Sequence, residues 1–350
     1  MRIFFIGASA VGTSGMASDV MEAHILTTLR DMGHACAYFD YRSAVFGPLL
    51  NSVLSRAAID LGWLNVPPID RVLTRRVRAF QPDLIMTLLG NYTSPATIKS
   101  LRSETNAPII CWVQDHMGTM GRQYVIGSGY DFIFAKDMAM VELLRRYTRQ
   151  TGVHYLAEAC NPAVHRPLTP SPEQRRLYAC DVTTAATLYY YRSAVLEEIG
   201  DFDLKIWGAV PRFYRGPLTE KHAGGTVAGY EKAACFNSAR IVINTLFPTE
   251  IDGLNARAFE AAGCGAFQLI NASPAIARHF TPGKDIEVFS NLAELREKLR
   301  YFLDHEPQRR AIAEAAWQRS HRDHSYELRL REMLETVFGR EISSAQGFSP

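Results

Sequence analysis

The residues of this chain best suited to chemistry gather in one segment, Pro248-Thr249-Glu250-Ile251-Asp252-Gly253-Leu254-Asn255-Ala256-Arg257-Ala258-Phe259-Glu260-Ala261-Ala262-Gly263-Cys264-Gly265. An apolar run with strand character precedes it, and a helical pattern begins inside it. A helix that opens just after a strand presents free backbone N–H groups and the positive end of its dipole, both suited to a diphosphate. Glu260 stands two turns further in, where a carboxylate can reach ribose hydroxyls, and Gly263 and Gly265 let the following strand start tightly. A second cluster closes the apolar run Ile109–Gln114 with Asp115-His116, ahead of Met117-Gly118. A charged pair at the carboxyl end of a strand is the place for a catalytic group facing a cleft. The His116 imidazole can orient an acceptor or act as a base near neutral pH. The loop Ala8–Gly15 should face the same cleft, with Gly12 allowing close backbone approach to phosphate or sugar.

Plainer readings compete with each of these. Glycine-rich turns after a first strand are common to every α/β fold, so Gly12 and Gly15 alone say little. Asp115-His116 could cap a helix at the surface, and Glu260 could be a solvated helix residue. His321-Arg-Asp-His324 invites a metal, but no third ligand has suitable spacing, and a helix surface near an interdomain linker is the better reading. Arg71, Arg75, Arg76 and Arg78, after the apolar stretch Leu49–Leu64, offer peripheral contact with an anionic membrane or a lipid-linked acceptor. A solvated helix face is their default.

The elements that must position these residues alternate in type. Arg2–Gly7 reads as a first core strand rather than a signal peptide. A helix follows with Met21, Ile25, Leu29 and Met32 on one face and Gly33 at its C-cap. Further strands fall at Cys36–Tyr41, Asp83–Leu89, Pro108–Gln114, Tyr130–Ala135 and His154–Ala157, with a helix over Asp137–Thr148. The proline-rich run Asn161–Pro172 suits a linker. The alternation then restarts with strands at Tyr178–Thr183, Leu204–Gly208, Ile241–Leu246, Ala266–Ile270 and Ile286–Phe289. Helices lie over Tyr230–Asn237, Asn255–Gly263 and Leu292–Leu303, and an amphipathic helix carries Tyr326, Leu330, Met333, Leu334 and Val337. Nearly continuous apolar strands between helices imply parallel sheets covered on both faces. The expected domains are residues 1–160 and 173–320, with a C-terminal helix near 323–340 packing back onto the first.

Composition sets the limits. At 350 residues the chain exceeds one usual core, and 38 basic residues against 36 acidic ones give no global bias towards nucleic acid. The six cysteines are scattered without a two-residue spacing, which argues against a metal or redox pair and against a disulfide framework. No segment approaches the roughly 18 continuous apolar residues of a membrane span, so a soluble, cytoplasmic protein is expected.

The run Asn255-Ala-Arg257-Ala-Phe-Glu260-Ala-Ala-Gly263-Cys-Gly265, with Pro282-Gly283-Lys284-Asp285 and His324-Ser325-Tyr326-Glu327, resembles the C-terminal signature of the CgeB-like glycosyltransferases. The resemblance covers about residues 178–335, and the N-terminal half only in layout. It implies an α/β, GT-B fold of two Rossmann-like domains facing a central cleft. It also implies transfer of a sugar from a nucleotide-diphosphate donor, UDP first and dTDP or GDP open, to a glycan, protein or lipid-linked acceptor. Retention of configuration and independence of metal follow from the same kinship, with the nucleotide-sugar as co-substrate and no further cofactor. Two acidic residues separated by seven others are a mark of related enzymes. Here they are Asp252, where Glu is usual, and Glu260 as ribose ligand. Leu204–Gly208 would border the donor pocket, Thr226-Val227 would hold the base through backbone groups, and Gly253, Leu254, Asn255 and Arg257 would border the phosphates. Asp115, His116 and Asp252 would face sugar and acceptor. Arg192 and Arg257 are the nearest candidates for the basic pair on the diphosphate. The family's glycine after the first strand of the second domain is here Ala186. A second hypothesis, motivated by that alanine, is a degenerate GT-B subunit that binds glycan or nucleotide-sugar without turnover. A dinucleotide oxidoreductase is disfavoured, since no GxGxxG follows either first strand.

Overall fold

A computed structural model describes residues 1–7, 21–40, 67–88, 93–115, 124–148, 150–211 and 214–339. Gly12 and the rest of the Ala8–Gly15 loop, His116, and the apolar stretch Leu49–Leu64 lie outside them.

Two compact units form. Among the described residues, one holds those up to Ala157 and from Tyr326 onward, and the other runs from Glu158 to Ser325. In the first unit, β1 (Arg2–Gly7), β2 (Ala35–Asp40), β3 (Leu84–Leu88), β4 (Ile109–Val113), β5 (Phe132–Ala135) and β6 (Val153–Tyr155) make one sheet in the order β2-β1-β3-β4-β5-β6. Every pairing is parallel. Strands β3 and β4 are buried at every position, as a sheet covered on both faces requires. One face packs on α2 (Pro67–Phe80) through Leu73 and Val77, on α3 (Pro95–Arg102) through Ile98 and Leu101, and on α4 (Met138–Tyr147) through Val141 and Leu144.

On α1 (Met21–Asp31), Ile25, Leu26 and Leu29 are buried, and Gly33 turns the chain at φ 83° with His34 N–H on the Leu29 carbonyl, the expected C-cap. The final helix, α12 (Tyr326–Phe338), packs on α1, and the Tyr326 ring lies 5.5 Å from that of His24 and 6.4 Å from that of Trp112. Arg71, Arg75, Arg76 and Arg78 line the exposed side of α2, where Arg78 pairs with Glu104 at 2.6 Å. Among the described residues no helix is long and apolar enough to cross a membrane.

In the second unit, β7 (Cys180–Ala185), β8 (Leu204–Trp207), β9 (His222–Gly224), β10 (Ala239–Asn244), β11 (Gln268–Asn271) and β12 (Glu287–Phe289) are again all parallel, in the order β12-β11-β10-β7-β8-β9. Numbered within the unit this is 3-2-1-4-5-6, the Rossmann order, whose topological switch point falls between β7 and β10. Its helices are α5 (Pro172–Tyr178), α6 (Tyr190–Glu197), α7 (Gly229–Ser238), α8 (Ala256–Gly263), α9 (Ile276–His279), α10 (Leu292–Asp304) and α11 (Glu306–Asp323).

Three features depart from the sequence reading. The proline-rich run is not a spacer, because it belongs to the second unit and its His165 is fully buried. Pro172 opens α5, where a missing N–H costs nothing, behind a capping box between Ser171 and Gln174. Helix α11 escapes a search for apolar periodicity because its buried face includes Ala313, Ala316 and Ser320 beside Ile312. His321 and His324 are not on a bland helix surface either. His321 Nε2 lies 2.8 Å from the His165 carbonyl and 3.0 Å from that of Gly263, and buried His324 packs against Phe259, His279 and Phe280. Among the described residues no group of three or more His, Cys, Asp or Glu could hold a metal ion.

Pro282-Gly283-Lys284-Asp285 has a structural use. The buried Asp285 carboxylate accepts the Thr281 N–H at 2.5 Å and pairs with Arg319 at 2.9 Å, locking the turn before β12 onto α11. Only Asp285 is buried, and Arg319 is partly exposed with Asp323 3.9 Å away, so Asp285→Asn removes a charge-assisted contact without stranding a charge. It should cost about 2 kcal/mol. A fall in melting temperature with the donor KM unchanged is the expected reading.

Candidate functional site

Ligands of a Rossmann sheet lie beyond the carboxyl ends of the strands at the switch point. In the second unit that place is occupied by two arginines. Arg257, in the first turn of α8, donates from Nε to the Ala185 carbonyl at the end of β7, 2.9 Å away. Its Nη1 donates to Asn244 Oδ1 at the end of β10, also at 2.9 Å. Arg192, on α6, spans the same two strands: Nη1 donates to the Thr187 carbonyl, and Nε donates to Thr245 Oγ1 at 2.8 Å. Both guanidiniums are thus held by neutral acceptors. Among the described residues neither has a carboxylate at ion-pair distance.

The electrostatic consequence is strong. Arg192 is only 8% exposed, and burial pushes its guanidinium below its ordinary pKa. Dense protein surrounds Arg257 although one edge stays accessible. Burial, with the nearby charge of Arg192, lowers Arg257 to about 9. Two like charges held together by neutral acceptors, with Glu250 and Glu260 acting only from beyond ion-pair distance, form a receptor for an anion.

The neighbouring loop is rigid for local reasons. Asn255 caps α8 by accepting the Ala258 N–H, and it exchanges side-chain amide hydrogen bonds with Asn244 at 2.9 and 3.0 Å. Leu254 is buried, and the Gly253 carbonyl accepts the Ser273 hydroxyl at 3.4 Å. Asp252 is tied to Arg278 on α9, which also donates to its carbonyl at 3.0 Å. The sequence reading aimed that carboxylate at the transferred sugar; the structure gives it an ion pair within its own unit.

Glu260 lies on the buried side of α8 rather than on a solvated face. Its Oε2 accepts from Lys232 Nζ of α7 at 3.1 Å, and His165 Nε2 stands 4.0 Å from Oε1. His165 accepts the Asn161 N–H at Nδ1, so its Nε2–H faces Glu260. Neither partner was legible in advance, since His165 sits in a run that reads as linker and Lys232 in an ordinary helix start.

Gly208 follows β8 at φ 133°, and a Cβ there would meet the Ala186 carbonyl oxygen at 2.3 Å. The close approach of the chain after β7 to the chain after β8 depends on Gly208 standing against Ala186. Thr226 is exposed, whereas Val227 packs with Trp207 and Ala233, leaving its backbone as the part a ligand would meet. In the first unit, Asp115 is exposed just past β4, and the Gln114 side-chain nitrogen beside it is buried with no partner among the described residues.

Residues 192–335 match the model of a family described as glycosyl transferase-like. Among solved structures, the chain resembles sucrose-phosphate synthase from Thermosynechococcus elongatus at 12% identity and TM-score 0.69, over 97% of this chain and 99% of that one. It resembles Anabaena HepE in complex with UDP and glucose at 11% identity and TM-score 0.66, over 97% and 100%. A glycosyltransferase from Rickettsia africae is similar at 13% identity and TM-score 0.63, over 96% and 97%. No curated protein matches significantly. The two Rossmann-like units have the GT-B fold. The match to the glycosyl transferase-like family covers most of the second unit and the start of the final helix.

Proposed function

We propose that the chain transfers a sugar from a UDP-sugar to a glycan, protein or lipid-linked acceptor, with retention of configuration and without a bound metal. The observation that carries this reading is the arginine pair at the switch point, held by neutral acceptors with no carboxylate at ion-pair distance among the described residues, beside the N-terminus of α8. A departing nucleoside diphosphate supplies the missing negative charge, and the guanidiniums with the opening amides of α8 stabilise it as the bond to the sugar breaks. The arginines then fill the role a divalent ion plays elsewhere. Glu260, held by Lys232, accepts from the ribose hydroxyls. Gly208, Thr226 and Val227 border the base, and Gly253 and Leu254 the phosphates. Asp115, His116 and Gly12 belong to the acceptor side. Asp252 orders the loop through Arg278 and acts on the sugar only indirectly. UDP as the nucleotide accords with the UDP complex among the similar structures.

A thermal-shift series with UDP, dTDP, GDP and CMP tests the donor, since a bound nucleotide raises the melting temperature through linkage. UDP should give the largest shift, and incubation with UDP-sugars should release UDP. Glu260→Gln should weaken UDP roughly tenfold, by replacing a charged acceptor with a neutral one. UDP affinity unchanged in that variant, or weakened only in step with that for pyrophosphate, would remove Glu260 from the ribose. Binding without release from any donor would leave a subunit that binds without turnover.

A further inference from the structure

A tyrosine stands where a capping residue belongs at the start of α6. Tyr189 holds the N-cap position of that helix and makes no side-chain capping hydrogen bond. Serine, threonine, asparagine or aspartate there would satisfy an amide of the first turn, which a phenol ring does not. Departures from such local rules fall where a residue has another use. Tyr190 and Tyr191 follow directly, so the three tyrosines stand in a row, 52%, 68% and 40% exposed. Among the described residues none of their hydroxyls has a hydrogen-bond partner. A single exposed aromatic side chain is ordinary, whereas a contiguous exposed set marks a surface that meets something.

The position of the set gives it meaning. β7 and β10 run side by side, and Tyr189 and Phe247 lie just past their carboxyl ends. The two rings meet edge to face at 6.1 Å, and the Arg192 guanidinium stands 5.9 Å from the Tyr189 ring. The backbone of Phe247 is fixed by Glu250, whose Oε2 accepts the Phe247 N–H at 2.9 Å and whose N–H donates to the Phe247 carbonyl at 2.8 Å. On the other side the Tyr190 ring lies 6.3 Å from that of buried Tyr214, which donates to Glu197 at 2.8 Å. The aromatic surface therefore runs from the loop after β10, over the start of α6, to the connection between β8 and β9. It begins beside an arginine of the diphosphate site and continues away from it.

We propose that Phe247, Tyr189 and Tyr190 form a stacking platform for the sugar rings of the acceptor, which makes that acceptor a glycan. The proposal rests on the nucleotide-sugar reading above. A pyranose ring carries C–H groups on its faces and hydroxyls round its rim, and an exposed phenol answers with an electron-rich face and a hydroxyl at its edge. The transferred hexose, tied to the diphosphate at the arginines, can cover a single aromatic ring. A platform of several rings fits a chain of sugars instead.

The test is binding of the labelled full chain to an array running from monosaccharides to hexasaccharides at saturating UDP, with the UDP thermal shift measured beside it. Binding should strengthen with chain length. Tyr189→Ser should weaken it roughly tenfold or more, about 1.4 kcal/mol. The same serine supplies the missing cap, so the variant should melt at or above the wild-type temperature. Tyr189→Phe and Tyr189→Trp keep a ring and should retain binding, and Tyr190→Ala should weaken long chains more than short ones. The UDP shift should be the same in all of these variants. An array without bound oligosaccharide, binding that survives Tyr189→Ser, or a loss confined to UDP or a UDP-sugar overturns the platform, the last by giving the ring to the donor. Absence of any UDP shift would count against the nucleotide reading alone, because the array can be read without nucleotide.

Discussion

Arg257→Met is expected to abolish turnover while leaving the protein as stable as before, or more so. The guanidinium sits among dense protein with a second arginine near it and no carboxylate at ion-pair distance, so its charge is a burden to the empty fold. Replacing a buried ion by an apolar chain of similar length is often neutral or stabilising. The same charge is what a diphosphate would meet, and losing one preorganised donor of this kind lowers kcat by roughly 10²–10³. Activity and melting temperature should therefore move apart, which a residue that merely supports the fold cannot do. A variant that binds UDP as tightly as the wild type, or that melts many degrees lower, would remove Arg257 from the diphosphate site.

What made this site readable in the sequence was its local grammar. The helix over Asn255–Gly263 could be placed from its neighbours alone, and the structure shows in addition that Asn255 caps it. Strands β3, β4 and β10 announced themselves as continuous apolar runs, and Gly33 ended α1 where a left-handed residue was expected. Contacts between distant segments were not readable. Nothing in Asn161–His165 reveals that its imidazole closes on Glu260, sequence distance carrying no spatial information there. Asp252 entered through the resemblance alone, and its ion pair with Arg278, 26 residues later, is a contact the sequence does not show. Helix α11 was missed because alanine and serine make a good packing face but a weak hydrophobic signal. The arginine pair shows the mixture: each residue was visible as a candidate, and only the adjacency of β7 and β10 brings them together.

The pairing of β7 with its other neighbour, β8, leads to the largest expected effect on the fold, at Gly208. Adding one methyl group there places a Cβ 2.3 Å from the Ala186 oxygen and 2.6 Å from its carbonyl carbon, at a φ of 133° that side chains rarely adopt. Neither backbone can withdraw freely. Ala186 N–H is bonded to the Trp207 carbonyl at 2.7 Å and Gly208 N–H to the Gly224 carbonyl at 3.1 Å, while His222 Nε2 lies 2.9 Å from the Gly208 carbonyl. Strain in the backbone and overpacking each cost on the order of 1–3 kcal/mol, so Gly208→Ala should lose about 3 kcal/mol or more. In a unit of this size that lowers the melting temperature by roughly 6–12 °C. Gly225 is the matched control, because a Cβ there meets nothing within 4 Å, and Gly225→Ala should melt close to the wild type. The damage should also reach the site. Spreading the ends of β7 and β8 shifts Ala185, whose carbonyl anchors Arg257, so UDP affinity should fall along with stability in Gly208→Ala. In Arg257→Met only affinity falls. If Gly208→Ala melts with its control, the tight crossing of the two strands is not what holds the arginine in place.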